Sequence, residues 1–139
     1  MKTTVKWMEE VTFAGHSETG HQVIMDGPPD HGGRNLGPRP MELVLMGTAG
    51  CTSFDVVHIL KKSRQAITAC EVEVDAERAE VEPKVFTRIH FHFVVTGKGL
   101  KPETVERAVN LSAEKYCSAS IMLGKTANIT HDFEIREAE

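Results

Sequence analysis

Two segments of the chain alternate between apolar and polar residues with the period of two that is typical of half-buried strands. Residues 69–77 set small and branched apolar side chains against acidic ones, and residues 85–96 set aliphatic and aromatic side chains against His90 and His92. Because they are close in sequence, we predict that the two segments form an antiparallel hairpin that turns around residues 80–83.

The longest apolar stretch of the chain follows a segment rich in proline and glycine. Residues 26–40 contain four prolines and four glycines, which predicts a long loop. Pro40 suits the first turn of a helix, and residues 41–64 contain no further proline. Apolar residues occupy most of the circumference of this predicted helix, which indicates burial in a core. Two acidic residues and a histidine interrupt it, which favours the core over a membrane span.

The remaining segments predict shorter elements. They are an N-terminal antiparallel meander, an amphipathic helix, a second short helix and a closing strand, at residues 2–9, 12–16, 20–25, 102–116, 118–125 and 127–136. This order of strands and helices predicts an α+β fold, and a length of 139 residues predicts one domain over residues 1–139.

Composition narrows the class of protein. The net charge is −4 and the basic residues are scattered, so we expect no nucleic-acid partner. The first residues lack the layout of a signal peptide, and three widely spaced cysteines are typical of a reducing compartment. We therefore expect a cytoplasmic protein that has no membrane partner.

The three cysteines differ in their predicted surroundings. Cys51 lies midway along the long helix among small residues, where it is either a buried small apolar side chain or a thiol with room for a substrate. Cys117 lies between two predicted helices, and the N-terminus of the second can favour a thiolate there. Cys70 lies on the apolar face of its strand, which predicts a core residue.

Two other groups of residues have the composition of a site. Cys51, Asp55 and His58 share one stripe of the helix, but Cys51 and His58 are separated by about 10 Å of helical rise. A nucleophile and its base must approach to about 3 Å, so a direct pair is excluded. His90 and His92 point the same way, but no third ligand is evident nearby. We therefore expect neither a bound metal nor a cofactor.

Two motifs carry a resemblance to a known family. Pro-Met-Glu-Leu at residues 40–43 leads into Gly-Thr-Ala-Gly-Cys-Thr at 47–52, and Ser-Ala-Glu-Lys-Tyr-Cys occupies 112–117. Together they resemble the OsmC/Ohr superfamily, and Trp7 with the segment 128–131 makes its YhfA-like branch the nearest match. The resemblance implies an OsmC-like fold, with antiparallel sheets packed on a long buried central helix, in an intertwined homodimer.

The resemblance also implies an activity. Members of the superfamily are thiol peroxidases that act on organic hydroperoxides. By this resemblance Cys51 is the peroxidatic cysteine, Cys117 forms a disulfide with it, and a dithiol reductant restores both thiols. The substrate would be a small organic hydroperoxide.

The sequence departs from the family pattern where the reactive thiol is activated. Active members place a glutamate directly after the helix-starting proline, but here Met41 has that position and Glu42 follows. They also use an N-terminal arginine, and residues 2–25 contain none. Arg34 and Arg39 in the long loop are the candidates to take its place, with Glu42 orienting either of them.

Two other functions are compatible with these residues. The first is a non-catalytic protein of the same fold that binds a small hydrophobic ligand or senses redox state through Cys51. The second is a structural or interaction protein whose cysteines have no redox role. In every case we expect a homodimer, because the long helix is apolar on too many faces for one chain to cover, and its glycines at 47 and 50 allow close packing.

Overall fold

A computed structural model describes all 139 residues, and its elements follow the predicted order. They are β1 (Thr3–Glu9), β2 (Thr12–Ser17), β3 (Gln22–Asp26), α1 (Pro40–Lys62), β4 (Ala66–Arg78), β5 (Phe86–Lys98), α2 (Pro102–Leu111), α3 (Ser118–Leu123) and β6 (Asn128–Glu137). The predicted α+β class is confirmed. The chain divides into two compact units, residues 1–46 and 47–139, so the single domain expected from the length stays a prediction.

In the first unit, β1, β2 and β3 form the antiparallel meander that the sequence predicts, with β2 in the centre. The buried carboxylate of Asp26 at the end of β3 organises the loop that follows. It accepts hydrogen bonds from the backbone N–H groups of Gly27, Arg34 and Leu36 and from the Thr12 hydroxyl, at 2.9–3.1 Å. The bond from Leu36 and the three others hold the pKa of Asp26 below its usual range, although burial opposes them. The predicted long loop is therefore a folded structure.

Replacing Gly33 in this loop with alanine is expected to destabilise the protein by about 1–3 kcal/mol. A Cβ atom at Gly33 would overlap the carbonyl oxygen of Gly27, so the backbone of the loop would have to move. Urea denaturation measures the loss. Leu36→Ala, at an exposed position of the same loop, is the control and should change stability by less than about 0.5 kcal/mol. Equal stability of Gly33→Ala and the native protein would contradict the close packing of the loop.

In the second unit, β4, β5 and β6 form one sheet with β5 in the centre. β4 and β5 are the predicted antiparallel hairpin, and Val72 pairs with Phe93. The alternation of β5 is confirmed, because Ile89, Phe91, Phe93 and Val95 on its apolar face are all buried.

The expectation of purely antiparallel sheets is wrong for β6, which pairs with β5 in parallel. The connection between them, residues 99–127, contains α2 and α3. A parallel pair requires a long crossover of this kind, since the chain must return to the same end of the sheet before the next strand begins. The sheet of the second unit is therefore mixed.

The expectation that α1 is buried nearly all round is also wrong for the single chain. Its buried residues form one stripe with a spacing of four, namely Thr48, Thr52, Val56 and Leu60. Large apolar side chains elsewhere on the helix are exposed, among them Val44, Met46 and Phe54. The helix α1 is also long and apolar enough to cross a membrane, judged by length and composition alone. Core helices of other proteins meet the same criterion.

The polar face of the β5–β6 pair carries a ladder of histidines and carboxylates. Asp132 Oδ1 lies 2.6 Å from His92 Nδ1 and 3.1 Å from His90 Nε2, and Glu134 Oε1 lies 3.1 Å from His92 Nε2. Sequence reasoning found no third group beside the histidines because it did not predict the parallel pairing that brings β6 there. Hydrogen bonds that His92 donates to Asp132 and, second, to Glu134 raise the pKa of His92, and the same bonds hold the pKa values of both carboxyls below the usual range.

This ladder predicts a specific pH dependence of stability. The raised pKa of His92 contributes stability that is complete below about 6.5 and is lost as the pH rises through the folded pKa. The lowered carboxyl pKa values contribute stability above about 4.5 that is lost as the pH falls. Other ionisable side chains lie on the same face of the sheet or pair with the ladder: Glu73, Asp75, Arg88, His90 and Arg136.

His92→Gln is therefore expected to be most destabilising at about pH 5.5 and least destabilising at about pH 8.5. Urea denaturation of both proteins at the two pH values gives this difference. His31→Gln, at an exposed histidine of the long loop, is the control. A His92→Gln effect of the same size at both pH values would contradict the ionic character of the ladder.

Candidate functional site

Three polar side chains of the second unit converge where α1 meets the segment after α2. One donor atom from each of Cys51, Asp55 and Cys117 lies within 4.8 Å of the other two. Cys51 and Asp55 are one turn apart on α1, so both project from the same side of the helix. Cys117 reaches them from a π-helical turn, Ser112–Tyr116, which separates α2 from α3. Such turns occur often at functional sites.

A chain of hydroxyl groups holds the Asp55 carboxylate. Ser112 Oγ donates to Asp55 Oδ2 at 2.9 Å and lies 2.7 Å from Thr52 Oγ1. Because the single proton of the Ser112 hydroxyl is used toward Asp55, Thr52 is the donor in the second bond. Ser112 and Thr52 are both buried, so the orientation of Asp55 is fixed by groups that have no alternative partner in water.

Cys117 is fully buried and is held as a thiol. Its sulphur accepts hydrogen bonds from the hydroxyl of Ser120 at 3.1 Å and from the Ser120 backbone N–H at 3.4 Å, and lies 3.9 Å from the carbonyl oxygen of Thr48, to which its S–H points. Burial raises the pKa of the Cys117 thiol, the two bonds from Ser120 lower it, and neighbouring Cys51 raises it further. The sequence indicates that the N-terminus of the following helix can favour a thiolate at Cys117; in the structure desolvation outweighs the hydrogen bonds, and the pKa of Cys117 lies above its usual range.

Asp55 also lines an open groove of about 460 Å³. Its other walls are His58, Ile59, Lys62, Ser63, Arg107, Leu111 and Tyr116. The groove therefore combines apolar side chains with two permanent cations, Lys62 and Arg107. His58 stacks on Phe54 with ring centroids 5.7 Å apart, so it is engaged away from the cysteines.

Cys51 is half-buried, so part of its surface is accessible to a small molecule. Cys70 lies on β4, outside the cluster, and burial raises the pKa of its thiol. The two predicted redox cysteines are thus close together, and the third is separate from them.

The other predicted site residues, Arg34, Arg39 and Glu42, lie in the first unit. The Arg34 guanidinium lies 2.6 Å from the carboxylate of Glu9, and the Arg39 guanidinium donates to the side chain of Asn35. Glu42 accepts a hydrogen bond from the backbone N–H of Arg39 at 2.8 Å, a contact typical of helix capping. The structure thus gives each of them a local partner, and their role toward Cys51 stays a prediction.

The family of the chain is decided by comparison with known proteins. Residues 31–132 match the model of the family described as OsmC-like protein. The chain belongs to the OsmC-like family. The resemblance and the predicted α+β, OsmC-like fold are therefore confirmed, and the homodimer stays a prediction.

Relatives of this OsmC-like protein extend over its whole length. It is 51% identical over 135 residues to Protein YhfA of Escherichia coli strain K12, which covers 97% of this chain and 98% of that protein. A crystal structure of a hypothetical protein from Aquifex aeolicus VF5 is 30% identical, with a TM-score of 0.87 and coverage of 99% and 97%. The organic hydroperoxide resistance protein OhrB of Bacillus subtilis is 22% identical, with a TM-score of 0.64 and 96% of both chains covered. At that identity the similarity to OhrB shows the fold alone.

Sequence reasoning missed part of this OsmC-like site. It placed Asp55 on the stripe of Cys51 but gave it no role once His58 had been excluded as a base. It gave no role to Ser112 or Ser120, whose hydroxyls contact Asp55 and Cys117. The available signal was that Ser112 lies in the same short motif as Cys117, although nothing in the sequence indicates the π turn that aims both side chains at α1.

Proposed function

We propose that this OsmC-like protein reduces organic hydroperoxides through Cys51 and Cys117. The observation that carries the proposal is the pairing of a partly exposed thiol with a buried one, their sulphurs within 4.8 Å of each other. Burial, and to a smaller extent the neighbouring Cys51, raise the pKa of Cys117. The two thiols are therefore unlike, and Cys51 is the one that a substrate can reach.

The reaction has two steps. The Cys51 thiolate attacks the distal oxygen of the hydroperoxide, the O–O bond breaks, and the alkoxide takes up a proton and leaves as an alcohol, so that Cys51 becomes a sulfenic acid. Cys117 then attacks that sulphur, the S–O bond breaks, and the hydroxide leaves as water after it has taken up the Cys117 proton. The two sulphurs supply the two electrons that reduce the peroxide, and a dithiol reductant returns them.

The distance between the two sulphurs suits the second step. They lie within 4.8 Å of each other and a disulfide bond is about 2.05 Å long, so the separation has to shorten by less than about 3 Å. Rotation of the side chains can provide this movement. Asp55 is placed to carry the Cys117 proton to the leaving hydroxide, because its carboxylate lies within 4.8 Å of both sulphurs. The hydroxyl of Ser112 keeps it in that position.

The substrate class is supported by the family. The Bacillus subtilis protein of the same fold is named for organic hydroperoxide resistance. The groove beside Asp55 has apolar walls at Ile59 and Leu111, which suit the organic part of such a substrate. Non-catalytic ligand binding would use the same groove, and the thiol assay below separates the two functions.

The activating cation is proposed to come from Arg34 or Arg39 of the long loop, with Lys62 and Arg107 of the groove as the other candidates. A guanidinium suits a thiolate and a peroxide oxygen because it offers several donors in a fixed plane. The pH dependence of Cys51 alkylation by iodoacetamide reports its thiolate fraction. That profile should move to higher pH in the alanine variant of the activating residue alone, and an unchanged profile in Arg34→Ala, Arg39→Ala and their double variant would exclude the loop arginines.

We also propose that the protein is a homodimer whose α1 helices pack against each other. The exposed face of α1 carries Met46, Phe54 and two glycines, Gly47 and Gly50, whose added Cβ atoms would meet nothing within 4 Å. Large apolar side chains beside such open backbone positions are typical of a surface that another helix covers.

The test of the proposed reaction is a thiol count. The reduced native protein has three thiols, and one equivalent of cumene hydroperoxide should remove two of them, with one equivalent of alcohol formed. Cys70→Ser, the matched control, should lose both of its two thiols in the same way. Cys51→Ser should lose none. Thiol loss that needs a large excess of peroxide, or that persists in Cys51→Ser, would contradict the proposed function and favour the non-catalytic alternative.

A further inference from the structure

The cluster that carries the proposed chemistry is also a set of metal-binding groups. It brings together two thiols, from Cys51 and Cys117, and the carboxylate of Asp55. Thiolates select soft and borderline cations such as Zn²⁺, and a carboxylate is an accepted third ligand for that ion. We propose that the reduced protein binds one Zn²⁺ ion, or a comparable thiophilic divalent cation, at Cys51, Asp55 and Cys117.

The distances fit such an ion. Tetrahedral zinc with Zn–S bonds of about 2.3 Å and a Zn–O bond of about 2.0–2.2 Å holds its ligand atoms about 3.5–3.8 Å apart. The three atoms already lie within 4.8 Å of one another, so each pair needs to contract by at most about 1.3 Å. Cys51 and Asp55 project from adjacent turns of one helix, which keeps two of the ligands in a fixed relation.

The surroundings complete the site. Ser112 donates to one oxygen of Asp55, the type of outer-shell bond that orients a metal-ligating carboxylate. Ser120 donates to Cys117, which supports charge on that sulphur when it becomes a ligand. Three protein ligands leave a fourth position, which water can fill as it does in open zinc sites. The partial exposure of Cys51 and Asp55 gives the ion a route of entry.

Binding is an acid–base reaction and involves no electron transfer. Each sulphur that is still protonated loses its proton when it binds the ion, so one Zn²⁺ displaces one proton from Cys117 and a second from any Cys51 that is a thiol, and the site has a net charge of −1. The proposed site departs from the expectation of no bound metal, which was drawn from the sequence with no partner assigned to Asp55. One consequence rests on the proposed function: with both sulphurs bound to the ion, Cys51 is no longer a free nucleophile, so Zn²⁺ inhibits hydroperoxide reduction.

Co²⁺ is the probe that tests the site, because it takes the place of Zn²⁺ and its absorption reports ligand type and geometry. Anaerobic titration of the reduced, metal-free protein should give one bound Co²⁺ with thiolate-to-metal charge-transfer bands and tetrahedral d–d bands, and Zn²⁺ should displace it. Between one and two protons should be released per ion in weakly buffered solution. Cys51→Ser and Cys117→Ser should each lower the affinity by more than about 100-fold, since even outer-shell changes typically cost 10–100-fold.

Two further variants test the carboxylate ligand and control for the third cysteine. Asp55→Asn retains a partner for Ser112 but removes the charged ligand, and should weaken binding at least about tenfold. Cys70→Ser should bind Co²⁺ like the native protein. Circular dichroism confirms that each variant is folded. Octahedral spectra without charge-transfer bands, or binding that persists in the double variant of Cys51 and Cys117, would overturn the proposal.

Two assays on the reduced, metal-free protein distinguish the metal site from the proposed peroxidase function. Thiol loss with cumene hydroperoxide is measured on the metal-free protein, so it does not depend on whether Zn²⁺ binds. Binding without peroxide reactivity leaves the metal site standing and removes the peroxidase, and peroxide reactivity with no Co²⁺ spectrum does the reverse. If both hold, one equivalent of Zn²⁺ should slow the thiol loss at least about tenfold.

Discussion

Cys117→Ser is expected to stop the reaction of each chain after one hydroperoxide. Cys51 is still present in this variant, so the first step proceeds and leaves Cys51 as a sulfenic acid. With serine in place of Cys117 no neighbouring thiol can displace the hydroxide, and turnover with a dithiol reductant should fall at least about 100-fold. Cys51→Ser should show no first step and a loss of at least about 1,000-fold, because removal of a nucleophile typically costs this much or more.

The two variants are distinguished by a probe for sulfenic acid. Dimedone should add 138 Da to the peptide that contains residue 51 in Cys117→Ser and should leave Cys51→Ser unlabelled. Cys70 lies outside the cluster, so Cys70→Ser should turn over at the native rate. Full turnover of Cys117→Ser would contradict the assignment of Cys117 as the cysteine that resolves the sulfenic acid.

Phe54→Glu is expected to dissociate the proposed dimer. Phe54 has 69% of its surface exposed in the single chain, on the same face of α1 as Gly47 and Gly50. Buried aromatic anchors at interfaces typically contribute 2 kcal/mol or more, so the variant should dissociate at least about 30-fold more readily. Light scattering at micromolar concentration should give about 30.8 kDa for the native protein, twice the 15.4 kDa of one chain, and a mass near one chain for Phe54→Glu.

Val81→Glu is the matched control, since Val81 is 75% exposed but lies in the connection between β4 and β5 and not on α1. It receives the same change of an exposed apolar residue to glutamate and should remain a dimer. A native protein that is monomeric and well folded at micromolar concentration would contradict the proposed assembly, and so would dissociation of both variants alike.

Local patterns were enough to predict most elements of this fold. The alternation of residues 85–96 predicts β5 and its buried face because a strand needs only a period of two, and proline with its flanking composition fixes the start of α1. The parallel pairing of β6 could not be predicted in this way. It depends on how residues 99–127 cross the sheet, which no local period records.

Burial was harder to predict than secondary structure. The composition of α1 indicates that most of its faces leave water, but it does not say whether the same chain or another one covers them. In the single chain only the stripe from Thr48 to Leu60 is covered. The proposed dimer would cover the exposed apolar side chains of α1, so the composition of this helix and the proposed assembly rest on the same residues.

The two cysteines of the site could be predicted from the sequence, but the polar side chains that contact them could not. The motifs around Cys51 and Cys117 identify both thiols, and the structure places their sulphurs within 4.8 Å of each other. The high pKa of Cys117 depends on complete burial, which the position of a residue at a helix start does not reveal. The contact between Ser112 and Asp55 joins two segments 57 residues apart and depends on the π turn.

The central claim is that Cys51 and Cys117 form one redox pair, and peptide mass mapping after one equivalent of cumene hydroperoxide tests it most directly. The protein is alkylated under denaturing conditions, digested without reduction and compared with a sample left untreated by peroxide. We expect one disulfide within a single chain, between the peptides that contain Cys51 and Cys117, with Cys70 fully alkylated. A disulfide that contains Cys70, or three alkylated cysteines after treatment, would contradict it.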